Sequence, residues 1–274
     1  MQTIFEFGDA KLAAVDLDPL YVAAVRMSWG HVERCRFTLA EVAFDLAGKA
    51  AEVVERCASG AAFWDSMRAA AADTKRGAPR RYFRGPKCMD ALEVMRELYP
   101  DAPEALAALA GTFAHAEEVV CGSWPLWGPT AAFKIADMAE RVCQVPVDFG
   151  VVGEAEICSN AQVRKGWDKA RDVLAAAGDA RAQDLAASLR QHIWCTKAPP
   201  RWDRELGPQE WETLLCYYSH DDEHNHHLPG MDRLGIADEL YDHGDVAAEL
   251  LGHLPWATEA EMYDWLDAKH RRTK

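Results

Sequence analysis

The sequence has no run of about 18 consecutive apolar residues, so it offers no candidate for a membrane-spanning helix. Its eight cysteines are scattered, with no CxxC pair among them. Free, buried thiols are the expectation, and no quartet is spaced for an iron–sulfur cluster. There is no P-loop, no dinucleotide-binding glycine fingerprint and no GxSxG elbow, which removes support from ATP, nicotinamide and α/β-hydrolase readings. The HExxH order of zinc helices is missing as well. The first residues, MQTIFEFGDAKLAAVDLD, are acidic and lack the basic-then-apolar order of a signal peptide. Positive charge is also short. Thirty Lys and Arg stand against 44 Asp and Glu, for a net charge of −14. A broad, non-specific nucleic-acid surface is excluded on that ground, but a local basic groove is not. Strand-like alternation is rare and no internal repeat exists.

What the chain does have is helical periodicity and enough apolar content, 49% of 274 residues, to build a substantial core. The expected fold class is all-α, as a single mostly helical domain over 1–274 with one lobe or two. Residues 1–18 read as an extended start and a turn. Asp18-Pro19 opens a helix to about Trp29. His31 to Cys57 reads as one or two helices, with Val32, Cys35, Leu39, Val42 and Leu46 on one stripe. Phe63 to Asp73, Met89 to Leu98 and Pro103 to Val120 follow as helices. Asn160 to Gly178 and Asp179 to Trp194 read as an antiparallel pair. Gly207-Pro208 starts a helix to Tyr218, and the tail from Ile236 is helical with a break at Pro255.

The stretch 121–149, CGSWPLWGPTAAFKIADMAERVCQVPVDF, organises the rest. Trp127-Gly128-Pro129 is a tight turn in which Gly128 supplies unusual backbone angles and Pro129 takes the first helical position. In the following helix Ala132, Ile135, Ala136, Ala139, Val142 and Cys143 form a buried stripe. Lys134, Asp137 and Arg141 share the opposite face, where a solvated i, i+4 pair between Asp137 and Arg141 is the plain structural reading. The helix start directs unpaired N–H groups outward, as an anion site does. Asp148 closes the stretch after an apolar run, as a functional carboxylate or as the cap of the next helix.

Three other segments carry charge. TKRGAPRRYFRGPK (74–87) holds Arg80, Arg81, Arg84 and Lys87 around Tyr82 and Phe83 with no acid among them, which suits phosphate contact and base stacking or a solvated loop. SHDDEHNHH (219–227) contains four His and three carboxylates. His220 and His224 lie four apart, so they are candidate ligands for a divalent metal such as Mg²⁺ or Zn²⁺; a solvated loop is the alternative. Finally, Arg34 and Arg36 flank Cys35 beside Phe37. They are within reach of a carboxylate or phosphate, or belong to an ordinary helix surface.

A hydrophobic residue, a Gly-Pro turn, an amphipathic helix and an apolar run ending in Asp148 together resemble the helix-hairpin-helix module of DNA base-excision glycosylases. The hairpin here is Leu126-Trp127-Gly128-Pro129, not the Gly-x-Gly form. The closer resemblance is to the phage amino acid:DNA transferases of thymidine hypermodification and the related thymine pyrophosphorylases. It rests on Trp127-Gly128-Pro129, Phe133-Lys134-Ile135-Ala136-Asp137, Glu140-Arg141, Pro146-Val147-Asp148-Phe149 and Trp211-Glu212-Thr213-Leu214-Leu215-Cys216 with Ser219-His220. That resemblance implies a glycosylase-like helical fold. It also implies transfer of an amino acid or amine to pyrophosphorylated 5-hydroxymethyluracil in phage DNA, with loss of pyrophosphate. Asp148, Lys134 and His220 would be catalytic. Trp127, Gly128, Arg141, Arg80, Arg81, Arg84 and Lys87 would contact DNA or phosphate. The partners would be modified DNA and an amine donor, with no membrane, in the cytoplasm of an infected host. A base glycosylase or a non-catalytic DNA-binding helical module are the alternatives.

Overall fold

In the computed structural model, which describes residues 2–73, 87–150, 154–158, 160–220, 231–241 and 243–272, the first element is a helix, α1 (Ile4–Ala13), where an extended start was expected. The side chains of residues 87, 88, 155, 156 and 272 fall outside this description. The reason for α1 is local. Thr3 caps the helix and Glu6 answers it: the Glu6 N–H donates to Thr3 Oγ1 at 3.3 Å and the Thr3 N–H to Glu6 Oε2 at 2.8 Å.

The next helices, α2 (Pro19–Arg26), α3 (His31–Phe44) and α4 (Ala47–Ala58), match the periodicity. The long 31–57 stretch divides at Asp45, which adopts a left-handed φ of 55° and ends α3. Helices α5 (Phe63–Ala72) and α6 (Lys87–Leu98) follow. The expected continuous helix over 103–120 is broken into α7 (Ala102–Ala107) and α8 (Phe113–Ser123). Gly111 between them takes φ 130°, which suits glycine alone, and starts the short strand β1 (Gly111–Thr112).

Helix α9 (Pro129–Cys143) leads to β2 (Val147–Asp148), which pairs in parallel with β1, Gly111 opposite Val147 and Thr112 opposite Asp148. Phe113, Phe133 and Phe149 lock this junction; Phe113 stacks on Phe149 with centroids 5.0 Å apart. After α10 (Glu154–Ile157) comes α11 (Ala161–Ala176), capped by Asn160. The expected second helix of a pair, 179–194, is a single 3₁₀ turn and the short α12 (Leu185–Gln191). Helix α11 packs instead against α13 (Pro208–Tyr218), so closely that a Cβ on Gly166 would lie 1.9 Å from the Leu215 carbonyl oxygen. The chain continues in α14 (Met231–Leu240), α15 (Asp245–His253) and α16 (Glu259–Arg272).

The class is therefore all-α; among the described residues the only strands are the two-residue β1 and β2. Buried side chains from Ile4 to Leu254 form one continuous core. Helix α9 lies within it, packed on α2, α3 and α8. Among the described residues no helix is long and apolar enough to cross a membrane.

Candidate functional site

The α9 face expected to meet solvent does not. Asp137 is fully buried and Arg141 is 2% exposed, because α2, α13 and the Pro199 turn close over that side. The apolar stripe is buried against other elements, so α9 is enclosed all round and its charges must be satisfied internally. The Asp137–Arg141 pair exists, at 3.3 Å, but inside the protein.

Arg141 is the hub. It lies 2.7 Å from Asp18 Oδ2 and 3.1 Å from Glu210 Oε1, and donates through Nη2 to the Pro199 carbonyl at 2.8 Å. Its guanidinium also sits over the Tyr21 ring, 4.7 Å from the centroid. Tyr21 in turn donates its hydroxyl to Asp137 Oδ2 at 3.0 Å. Asp18 reaches this place because it caps the start of α2 with a left-handed φ of 51°. Arg204 forks onto Glu210 at 3.0 and 2.9 Å. Burial pushes the Asp137 carboxyl up to about 7, although Arg141 pulls it the other way; Asp18 adds to the push.

Lys134 joins the same network from one end. Its ammonium donates to Glu212 Oε2 at 2.8 Å, with the side chain 20% exposed. Burial works against its charge, but Glu212, Asp137 and Asp18 outweigh burial and hold it above the usual lysine value. Lys134 is thus a paired cation at neutral pH. A second buried cluster neighbours the end of α13: Lys11 pairs with Asp16 at 2.9 Å and with Asp232, and lies over the Tyr217 ring. His220 stands one turn past Tyr217, its N–H donating to the Tyr217 carbonyl at 3.0 Å.

Asp148 is elsewhere. It is exposed in β2, beyond the C-terminal end of α9, and accepts the Gly150 N–H on Oδ1 at 2.8 Å. It does not cap a helix. It opens on a cleft of about 350 Å³ with Gln144 and Pro146. An adjoining cleft of about 240 Å³ runs past Arg141, Pro199 and Arg204. The two share Glu140, Arg201 and Asp203. The structure therefore unites Lys134 and Arg141, places Asp148 on a separate polar groove, and leaves His220 at the far end of α13.

Of the other anticipated residues, Trp127 is 5% exposed and packs edge-on against Trp124, centroids 5.0 Å apart. Gly128 caps α9 with φ −125° and ψ −172°, extended backbone open to any residue, contrary to the special angles expected of it. The left-handed position in this turn is Leu126, at φ 72°. A Cβ on Gly128 would meet nothing within 4 Å, so the turn is uncrowded there. Arg80, Arg81, Arg84 and His224 lie outside the described residues, and Lys87 opens α6 with its side chain outside them. Among the described residues no three His, Cys, Asp or Glu side chains converge in a way that would hold a metal. Sequence reasoning missed Asp18, Tyr21 and Glu210 as partners of Arg141. No local signal marks them, since all three come from distant segments.

Helical elements with an ionic interior and an exposed carboxylate on a small polar groove describe a class, not a reaction. Two phage proteins supply the reaction class. A glycinyltransferase of Pseudomonas phage PaMx11 is 30% identical over 254 residues, covering 81% of this chain and 85% of that protein. A putrescinyltransferase of Delftia phage PhiW-14 is 27% identical over 203 residues, covering 70% of this chain and 63% of that protein. The chain is a transferase. It belongs to the phage family of these two proteins, the amino acid transferases of thymidine hypermodification that its sequence resembles. No protein-family model matches it.

Proposed function

We propose that this protein transfers an amino acid or amine to pyrophosphorylated 5-hydroxymethyluracil in phage DNA and releases pyrophosphate. The similarity to a glycinyltransferase over four-fifths of the chain carries the reading. In the reaction the amine nitrogen bonds to the base's methylene carbon, the carbon–oxygen bond to pyrophosphate breaks, and the ammonium proton must go to a base. Asp148 is the residue for that proton. It is exposed on a groove, and one oxygen is fixed by the Gly150 N–H. The N–H groups at the start of α9 lie at the opposite end of that helix, about 20 Å away at 1.5 Å per residue. In this reading they hold a DNA phosphate, not the leaving group. Lys134 is held as an ion pair with Glu212 and His220 lies at the far end of α13, so this reading gives the proton step to Asp148 alone. Arg141 acts by holding α9, Asp18 and the Pro199 turn together.

The test is incubation with duplex DNA carrying pyrophosphorylated hydroxymethyluracil and a set of amino acids and amines. Stoichiometric pyrophosphate release with a mass gain on the DNA is expected. Release of a free base and an abasic site would instead mean glycosylase chemistry. DNA binding without turnover would reduce the protein to a binding module.

A further inference from the structure

Most cations around the groove already have carboxylate partners. Arg204 forks onto Glu210, and Arg141 meets Asp18, Asp137 and Glu210. Arg36 is likewise paired, with Asp101, where it secures the start of α7. Two arginines differ. Arg201 lines both clefts, and its one side-chain hydrogen bond among the described residues goes to the Val142 carbonyl at 3.3 Å. Among the described residues Arg34 makes no side-chain hydrogen bond or ion pair, and its Nε is buried without a partner there. Arg34 lines neither cleft, but helix α3 brings it near enough to Arg201 for the two charges to oppose each other. Thr38, one turn further along, meets Cys143 beside Val142, with Thr38 Oγ1 and Cys143 Sγ 3.2 Å apart. In a chain with fourteen surplus negative charges, two neighbouring guanidiniums that make no carboxylate ion pair among the described residues leave room for an anion.

The groove also limits what the anion is. Glu140, Asp203 and Asp148 line it beside Arg201. These carboxylates oppose a multiply charged phosphate or pyrophosphate. A zwitterion suits them, with its carboxylate on the arginines and its ammonium toward the acids. We propose that the groove between Arg201 and Asp148 binds the donor, that Arg201 aided by Arg34 takes the donor's carboxylate, and that the donor is therefore a small α-amino acid and not a diamine. This rests on the transferase reading for its reaction but not for its binding site. Burial depresses the Arg201 guanidinium, Asp203 and Glu140 do not make up the loss, and Arg34 adds to it, so an arriving carboxylate is stabilised. Placed this way, the ammonium faces Asp148, the residue proposed to remove its proton.

The full chain is titrated calorimetrically with glycine, alanine, putrescine and inorganic pyrophosphate. Each titration is run with and without a hydroxymethyluracil duplex that cannot react. Glycine or alanine is expected to bind, with putrescine and pyrophosphate failing to compete. Arg201→Gln is expected to weaken amino acid binding by about tenfold or more, and Arg34→Gln by less. Neither arginine holds an ion pair among the described residues, so both variants should keep the wild-type melting temperature. Arg201→Lys should recover part of the loss. Equal binding of putrescine, competition by pyrophosphate, or unchanged affinity in Arg201→Gln would each overturn the inference. If glycine binds through Arg201 but no pyrophosphate is released from activated DNA, the transferase reaction fails and the donor site stands. If DNA is modified with putrescine and not with amino acids, the donor site fails and the reaction stands.

Discussion

Replacing Arg141 by Leu tests whether this residue is a buried structural cation. In the folded protein its side chain is 1% exposed and faces three carboxylates. Their fates differ once it is gone. Glu210 keeps the Arg204 fork. Asp137 keeps the Tyr21 hydroxyl and can take up a proton near neutral pH. Asp18 loses its ion-pair partner, and the Pro199 carbonyl loses its donors. Removing one side of a buried ionic network costs about 3–5 kcal/mol, chiefly through the charge left behind. With a urea m-value of about 3 kcal/mol/M, the unfolding midpoint should fall by about 1 M or somewhat more. The double variant Asp18→Asn/Arg141→Leu should regain part of that loss, because the stranded charge goes too. The assay is equilibrium urea unfolding followed by circular dichroism at pH 7.5. A midpoint unchanged in Arg141→Leu would refute the reasoning and return Arg141 to the role of a free phosphate ligand.

Asp137 gives a pH signature. Its carboxyl titrates near 7 when folded and near 3.8 in a model peptide, so between those values the folded protein holds the extra proton. Its contribution to stability is fully present below about pH 3.8 and is lost as pH rises through about 7. Asp137→Asn should remove this slope, so the stability of wild type minus variant should decline from pH 4 to 7 and then level off. Gly166→Ala drives a Cβ into the Leu215 carbonyl and should cost about 1–3 kcal/mol or more by overpacking, read as a lower melting temperature. Asp148→Asn lies on an exposed strand and should fold normally while lowering the transfer rate by about 100-fold or more, measured by pyrophosphate release.

Several elements were legible because their signals are local. Gly207-Pro208 and Gly128-Pro129 each mark a helix start, and both hold. Apolar spacing located α3 and α9. The first helix was equally local, in Thr3 and Glu6, but its capping box lies in a stretch read as extended. The break at Gly111 was harder to see. Alanine-rich flanks favour helix on both sides, and the φ of 130° is imposed by pairing with Val147, 36 positions later by the numbering. The short α12 has the same kind of cause. Helix α11 finds its partner in α13, across a contact that Gly166 permits, and the expected pairing with 179–194 does not form.

By itself the sequence determined the all-α class, the central turn and helix, and the family, because helical periodicity and short motifs are properties of neighbouring residues. Only the tertiary structure decided what the charges on α9 do. The spacing of Lys134, Asp137 and Arg141 is that of a solvated face, and nothing nearby says otherwise. Asp18, Glu210 and Glu212 reach them from α2 and α13, so an exposed ion pair becomes a buried network. The same packing answers the question posed by Asp148. Helix α9 carries it past the far end of that network, onto a groove with Arg201. Burial and convergence depend on which helices meet, and a one-dimensional pattern cannot encode that directly.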